Sequence, residues 1–173
     1  MALKNIYSNL GSSKTDLYND NDSWLEAGPD SAYSTQFIAM AFTPKSNSHV
    51  SQVRVAVQHD ETSGGANQVN LSIYGDTNGA PGTLLAGPVT VKNLPGTGTC
   101  CLLAVANFPP VAVTGGSQYW VVADTPLSGT GSDFAGAWDF ISKEVWYGVS
   151  TGSGWLPFPG IWEPAGEVLG TIP

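Results

Sequence analysis

Trp138, Trp146, Tyr147, Trp155, Phe158 and Trp162 all fall in the last third of the chain. Flat aromatic rings stack on the apolar C–H faces of sugars, and polar neighbours then bind the hydroxyls. Asn107, Gln118, Asp139 and Glu163 are the polar side chains on offer. The competing reading is that these rings fill a core, as large apolar side chains generally do. Trp120 and Trp138 sit inside strand-like patterns and are assigned to that core. Trp155 lies between Gly154 and Leu156-Pro157, and Trp162 between Ile161 and Glu163-Pro164. Turn-rich surroundings make both candidates for exposure. The expected ligand contacts are therefore Trp155, Trp162, Trp146, Tyr147 and Phe158.

Catalytic chemistry has weaker support. Glycoside hydrolysis needs two carboxylates at a suitable gap, and Glu144 with Glu163 is one pairing. With 14 acidic residues in the chain, accidental pairs are numerous. His59 stands beside Asp60 and Glu61, a setting that suits proton transfer. No nucleophile is placed near it, so it is read as a solvated loop histidine. The sequence contains no HExxH or CxxC pattern, and the expectation is a protein that is not an enzyme.

Two further clusters concern metals and redox. Asp16, Asn19, Asp20, Asn21 and Asp22 crowd together near the start. Such a segment is a solvated loop or a source of oxygen ligands for Ca²⁺. The only cysteines, Cys100 and Cys101, are adjacent. One reading has a buried and an exposed thiol on opposite faces of a strand. The other is a vicinal disulfide, which requires an oxidising compartment.

These residues must be positioned by strands. Val69–Thr90 reads VNLSIYGDTNGAPGTLLAGPVT. Val69, Leu71 and Ile73 alternate with Asn70, Ser72 and Tyr74, the period of a half-buried strand. Gly75–Gly79 then turns the chain, Pro81-Gly82 is a second turn signal, and a new strand starts at Leu84. His49–Gln58 alternates too, with Val53, Val55 and Val57 on one side. Cys100–Phe108 and Val111–Val113 are strand-like on either side of Pro109-Pro110. Gln118–Ala123, Phe134–Ile141, Val145–Ser150, Gly154–Phe158 and Gly166–Ile172 follow. That makes about ten short strands with no helical periodicity, the spacing of an all-β antiparallel β-sandwich. The 173 residues form one expected domain, with 1–32 a polar, turn-rich N-terminal segment and 33–173 the main sandwich.

Composition narrows the partners. The net charge is −8 with only six basic residues, which argues against nucleic-acid and anionic-membrane binding. No apolar run approaches the roughly 20 residues of a membrane span. The start, MALKNIYSNLG, lacks the apolar core of a signal peptide. Either the protein is not exported or a signal has been removed; low charge, few lysines and many tryptophans suit an extracellular module, so the signal and any anchor are expected to lie outside these residues.

Several pieces together resemble one bacterial family. They are Ala41-Phe42-Thr43-Pro44, VNLSIYGDTNGAPGTLL, the vicinal cysteines, GGSQYWVVA, AGAWDF, YGVSTGSGW and Gly166-Glu167-Val168. The pattern is similar to the choice-of-anchor R type of domain over roughly residues 9–170, with the IYGDTNGAPG turn and QYWVVA its most specific parts. The resemblance implies a secreted or cell-surface β domain of jelly-roll type, similar to galactose-binding-like and carbohydrate-binding modules. It also implies a structural Ca²⁺, held by Asp20, Asp22 and Glu167 or, as the rival site, by Asp76 and Asn78. The expected partner is a polysaccharide or glycan in adhesion. The alternative is self-assembly, as a structural subunit of a surface layer, filament or phage or virus particle.

Overall fold

In the computed structural model, residues 2–15, 17–27, 37–60, 66–124, 135–150 and 154–173 are described, with backbone alone for 19–27, 135, 142–150 and 156–162. The elements among them are all strands. They are β1 (Lys4–Ser8), β2 (Asn19–Ala27), β3 (Phe37–Phe42), β4 (Ser48–Val55), β5 (Val57–His59) and β6 (Gln68–Asp76). Then come β7 (Pro81–Lys92), β8 (Ala104–Val113), β9 (Tyr119–Asp124), β10 (Ala135–Ser150), β11 (Trp155–Pro164) and β12 (Gly166–Thr171). The fold is an all-β antiparallel sandwich, as the alternation and turn spacing predict. No described helix is long and apolar enough to cross a membrane.

One sheet has the order β1-β12-β4-β8. The larger one runs β11-β10-β3-β9-β6-β7, with β2 and β5 also pairing with β10. Alternation along each strand sends one set of side chains between the sheets. The smaller sheet contributes Val50, Val53, Ala106, Phe108 and Val168. Across from them stand Ile38, Met40, Phe42, Val69, Leu71, Ile73, Val121 and Ala123 of the larger sheet, with Trp138 in the same cluster. Val69, Leu71 and Ile73 are fully buried, so the inward face of β6 is the one its sequence alternation marks.

The two sheets share strands at a corner. β4 runs into β5 across Ala56, and β11 runs into β12 across Ala165, each passing from one sheet to the other. Both alanines are fully buried. Their backbones are stitched together: Ala56 N–H donates to Ala165 O (3.0 Å), Asp139 N–H to Ala56 O (3.0 Å) and Ala165 N–H to Asp139 O (2.9 Å). The Trp138 indole Nε1 also donates to Ala165 O at 2.9 Å. Asn9 clamps the same turn, donating to Pro164 O and accepting from Gly166 N–H, both at 2.8 Å. A side chain larger than alanine would have no room where two backbones converge this closely.

Four local expectations are corrected. The segment before residue 33 carries two strands, since β1 pairs with β12 and β2 with β10. Pro109-Pro110 lies inside β8 and does not divide it. That strand is an edge of its sheet, where a missing proline N–H leaves no central ladder bond unmade. Pro81-Gly82 opens β7 and makes no second turn. The reversal is made instead by Asn78 and Gly79, at φ 55° and 77°. Thr77 and Ala80 are hydrogen-bonded to each other across it. Positive φ at both central residues is what an Asn-Gly hairpin supplies. Finally, His59 is 6% exposed and not a solvated loop residue. It lies in β5, where its N–H donates to Pro95 O and its carbonyl accepts from Thr97 N–H.

Candidate ligand-binding face

The outward alternates of β3, β9 and β6 form a second apolar cluster. Ladder register sets Ala41 opposite Trp120 and Ala39 opposite Val122. On the far side of β9, Tyr74 faces Trp120, Ser72 faces Val122 and Asn70 faces Asp124. Small Ala39, Ala41 and Ser72 thus flank the large indole of Trp120. Ala39, Ala41, Trp120 and Val122 are buried, and Tyr74 and the half-buried Trp155 pack against them. Trp120 and Trp138 are both fully buried, as read from the sequence, but Trp120 serves this outer cluster while Trp138 serves the core.

Polar groups stand at both ends of this face. At one end, Asp76 Oδ1 accepts from Trp120 Nε1 and Gln118 Nε2, each at 2.8 Å, and Oδ2 accepts from Gly79 N–H at 3.0 Å. Partial burial raises the Asp76 pKa, but the three hydrogen bonds outweigh it and hold the carboxyl below its ordinary value. At the other end, burial pushes Asp124 up to about 6, with a hydrogen bond from Asn70 opposing the rise. Burial raises the Tyr74 phenol, and the Asp124 charge adds to the effect. Carboxylates with opposed shifts on one face can combine a fixed negative charge with one that titrates near neutrality.

All five aromatic residues expected to touch ligand are on the β10–β11 hairpin. Trp155 pairs with Ser150, Tyr147 with Phe158, Trp146 with Pro159 and Ser142 with Trp162. Tyr147 also pairs with Met40 of β3, which joins the hairpin to the sheet just described. The Trp155 ring reaches the outer cluster. The side chains of Trp146, Tyr147, Phe158 and Trp162 lie outside the described residues. Sequence reasoning missed Tyr74, Asn70 and Asp124. The outward alternation of Asn70 and Tyr74 was visible, but nothing local says that β6 pairs with β9.

The expected polar partners do not converge. Gln118 is bound to Asp76. Asn107 belongs to the outer surface of the smaller sheet, where a polar chain crosses four strands. Gln52 Nε2 donates to Asn107 Oδ1 (2.7 Å), Arg54 Nε to Gln52 Oε1 (2.7 Å), Arg54 Nη1 to Glu167 Oε1 (3.1 Å) and Asn5 Nδ2 to Glu167 Oε2 (3.4 Å). Asp139 and Glu163 are buried at the corner. Glu163 Oε1 accepts from the Tyr7 hydroxyl at 2.6 Å, and burial together with Glu163 pushes that phenol far up. Glu163 is thus enclosed, and the Glu144 side chain lies outside the described residues.

Ca²⁺ takes several oxygen ligands that converge on one point. Glu167 has its oxygens on Arg54 and Asn5, and Asp76 has its own on three N–H groups. Asn78 sits at the hairpin turn, and the side chains of Asp20 and Asp22, on β2, lie outside the described residues. Among the described residues no group of three or more His, Cys, Asp or Glu is placed to hold a metal. Cys100 and Cys101 are joined in a vicinal disulfide, with Cα atoms 3.3 Å apart.

No family model matches the chain, and no curated protein matches it either. What fold and face define together is an antiparallel β-sandwich with an aromatic and carboxylate-bearing outer surface on its larger sheet.

Proposed function

We propose that the protein is a non-catalytic, extracellular bacterial β-sandwich module that binds carbohydrate, or adheres through it, at the outer face of its larger sheet. The observation that carries this reading is the half-buried Trp155 ring seated on the Ala39, Ala41 and Trp120 cluster beside Tyr74. A ring fixed from beneath offers a flat apolar platform at low entropic cost, which suits a sugar C–H face. Asn70 and Asp124 supply hydrogen-bonding groups at the edge of the same surface. The vicinal disulfide supports an oxidising compartment. The choice-of-anchor R resemblance of the motifs supports a cell-surface setting.

Glycan arrays and polysaccharide pull-downs with the purified protein test this, with Trp155→Ala and Trp162→Ala alongside. Binding by the wild type that is lost in Trp155→Ala at an unchanged melting temperature is the expected result. Absence of binding to every polysaccharide would refute it.

A second reading, a subunit of a surface layer, filament or particle, is favoured by one specific feature. Leu84 and Leu85 are 45% and 40% exposed on β7, an edge strand of the larger sheet. Exposed apolar side chains on an edge invite pairing with another chain. Concentration-dependent sedimentation that Leu84→Lys abolishes would favour it.

A further inference from the structure

The turn that carries Cys100 and Cys101 touches two other parts of the chain, and only one of the two attachments includes contacts to sulfur. One is to β5. His59 N–H donates to Pro95 O (2.8 Å), Thr97 N–H donates to His59 O (3.1 Å), and Gln58 Nε2 donates to Thr99 O (3.1 Å). None of these contacts involves sulfur. The other attachment is to Leu17 and Tyr18, the residues that lead into β2. Leu17 N–H donates to Cys101 Sγ at 3.4 Å, and Cys100 Sγ lies 3.9 Å from Tyr18 O. The Tyr18 hydroxyl reaches Thr99 O at 3.1 Å and Leu102 O at 2.9 Å. Those two carbonyls flank the cysteine pair on either side. Tyr18 is only 3% exposed, and its hydroxyl also meets Gln58 Nε2 at 3.2 Å.

We infer that the Cys100–Cys101 bond is a redox-active clasp whose reduction frees Leu17, Tyr18 and the strand that follows them. Both cysteines are partly exposed, between exposed Thr99 and Leu102, so a small dithiol can reach the sulfurs. The exchange balances without any further reagent. A thiolate of the dithiol attacks one sulfur, the Cys100–Cys101 bond breaks, and a mixed disulfide forms. The second thiol of the reagent displaces the protein sulfur, and the reagent leaves as a cyclic disulfide. Two electrons and two protons are transferred, leaving Cys100 and Cys101 as thiols.

The bonded sulfurs hold Thr99 and Leu102 at one separation, and Tyr18 bridges the carbonyls of those residues. Once the ring opens, the sulfurs move to non-bonded distance. The bridge across Thr99 O and Leu102 O then loses its fixed span, as does the Leu17 bond to Cys101 Sγ. The sulfur-free bonds to β5 keep the base of the turn in place. Release is therefore directed toward β2, which pairs with β10 at Ala135–Phe140. This inference is independent of carbohydrate binding.

The test is amide hydrogen exchange on the full chain, oxidised and after dithiothreitol, with thiols counted by alkylation and mass spectrometry. Two alkylated thiols are expected, with exchange over Leu17–Ala27 faster by about tenfold or more and β6 and β9 unchanged, since local opening leaves core strands protected. Reoxidation restores the slow exchange, and a Cys100→Ser/Cys101→Ser variant behaves as the reduced chain does. If that variant fails to fold, the reduced wild-type chain still decides. Three results overturn the inference: no alkylation under native conditions, identical exchange in the two states, or a loss of protection spread evenly over all strands.

Discussion

Replacing Asp124 by asparagine removes a charge that the fold holds at a cost. Its folded pKa is about 6 against an ordinary 3.8, a rise of about 2 units, worth about 3 kcal/mol between the protonation states. The sign follows from proton linkage. Between those two values the folded chain binds the Asp124 proton more tightly than the unfolded chain does. The contribution is present in full below the unfolded pKa and is lost as pH rises through about 6. Asp124→Asn keeps an oxygen that can accept from Asn70 but never ionises. Its stability relative to wild type is expected to be nearly constant below pH ~4 and to climb by about 3 kcal/mol by pH ~7. Urea denaturation followed by tryptophan fluorescence across that range measures the difference directly. Taking the difference also cancels the general effect of the −8 net charge and the opposite acid dependence of Asp76. Removing the Asp124 charge should in addition let the Tyr74 phenol ionise at lower pH. A stability difference that stays flat with pH, or grows toward acid, refutes the reasoning.

Other perturbations sort buried networks from exposed ones. Asp76→Ala strands the buried Trp120 indole N–H and loosens the Asn78-Gly79 turn, so a loss of about 2–3 kcal/mol is expected in chemical denaturation. Asn9→Ala removes two buried hydrogen bonds at the corner, leaves Pro164 O and Gly166 N–H without them, and should destabilise by about 2–4 kcal/mol in the same assay. Arg54→Gln breaks an ion pair whose arginine side chain is 42% exposed. Melting in low and high salt should show a loss below about 1 kcal/mol that shrinks with salt.

Secondary structure was legible because it is a local matter. The two-residue period of Val69–Tyr74 set the inward and outward faces of β6 before any partner was known, and Asn78-Gly79 marked the hairpin. The buried state of Trp120 and Trp138 followed from their strand surroundings. His59 was misread because its burial depends on the distant Pro95–Thr97 turn and on β10, and a polar run beside Gly64-Gly65 carries no sign of either. The N-terminal strands were hidden for a similar reason. Their partners, β12 and β10, lie more than a hundred residues further along the chain.

By itself, the sequence determined that the protein is an all-β antiparallel sandwich, low in positive charge and rich in aromatic residues. Alternation, turn chemistry and composition act within a few residues of where they are written. Tertiary structure alone decided which outward faces meet. It brought Ala39, Ala41, Trp120, Tyr74 and Trp155 into one cluster and raised Asp124 at its edge. It also enclosed Glu163 with Tyr7 and set the vicinal disulfide over Leu17 and Tyr18. These outcomes depend on strand order and on desolvation, which arise when distant segments exclude water together.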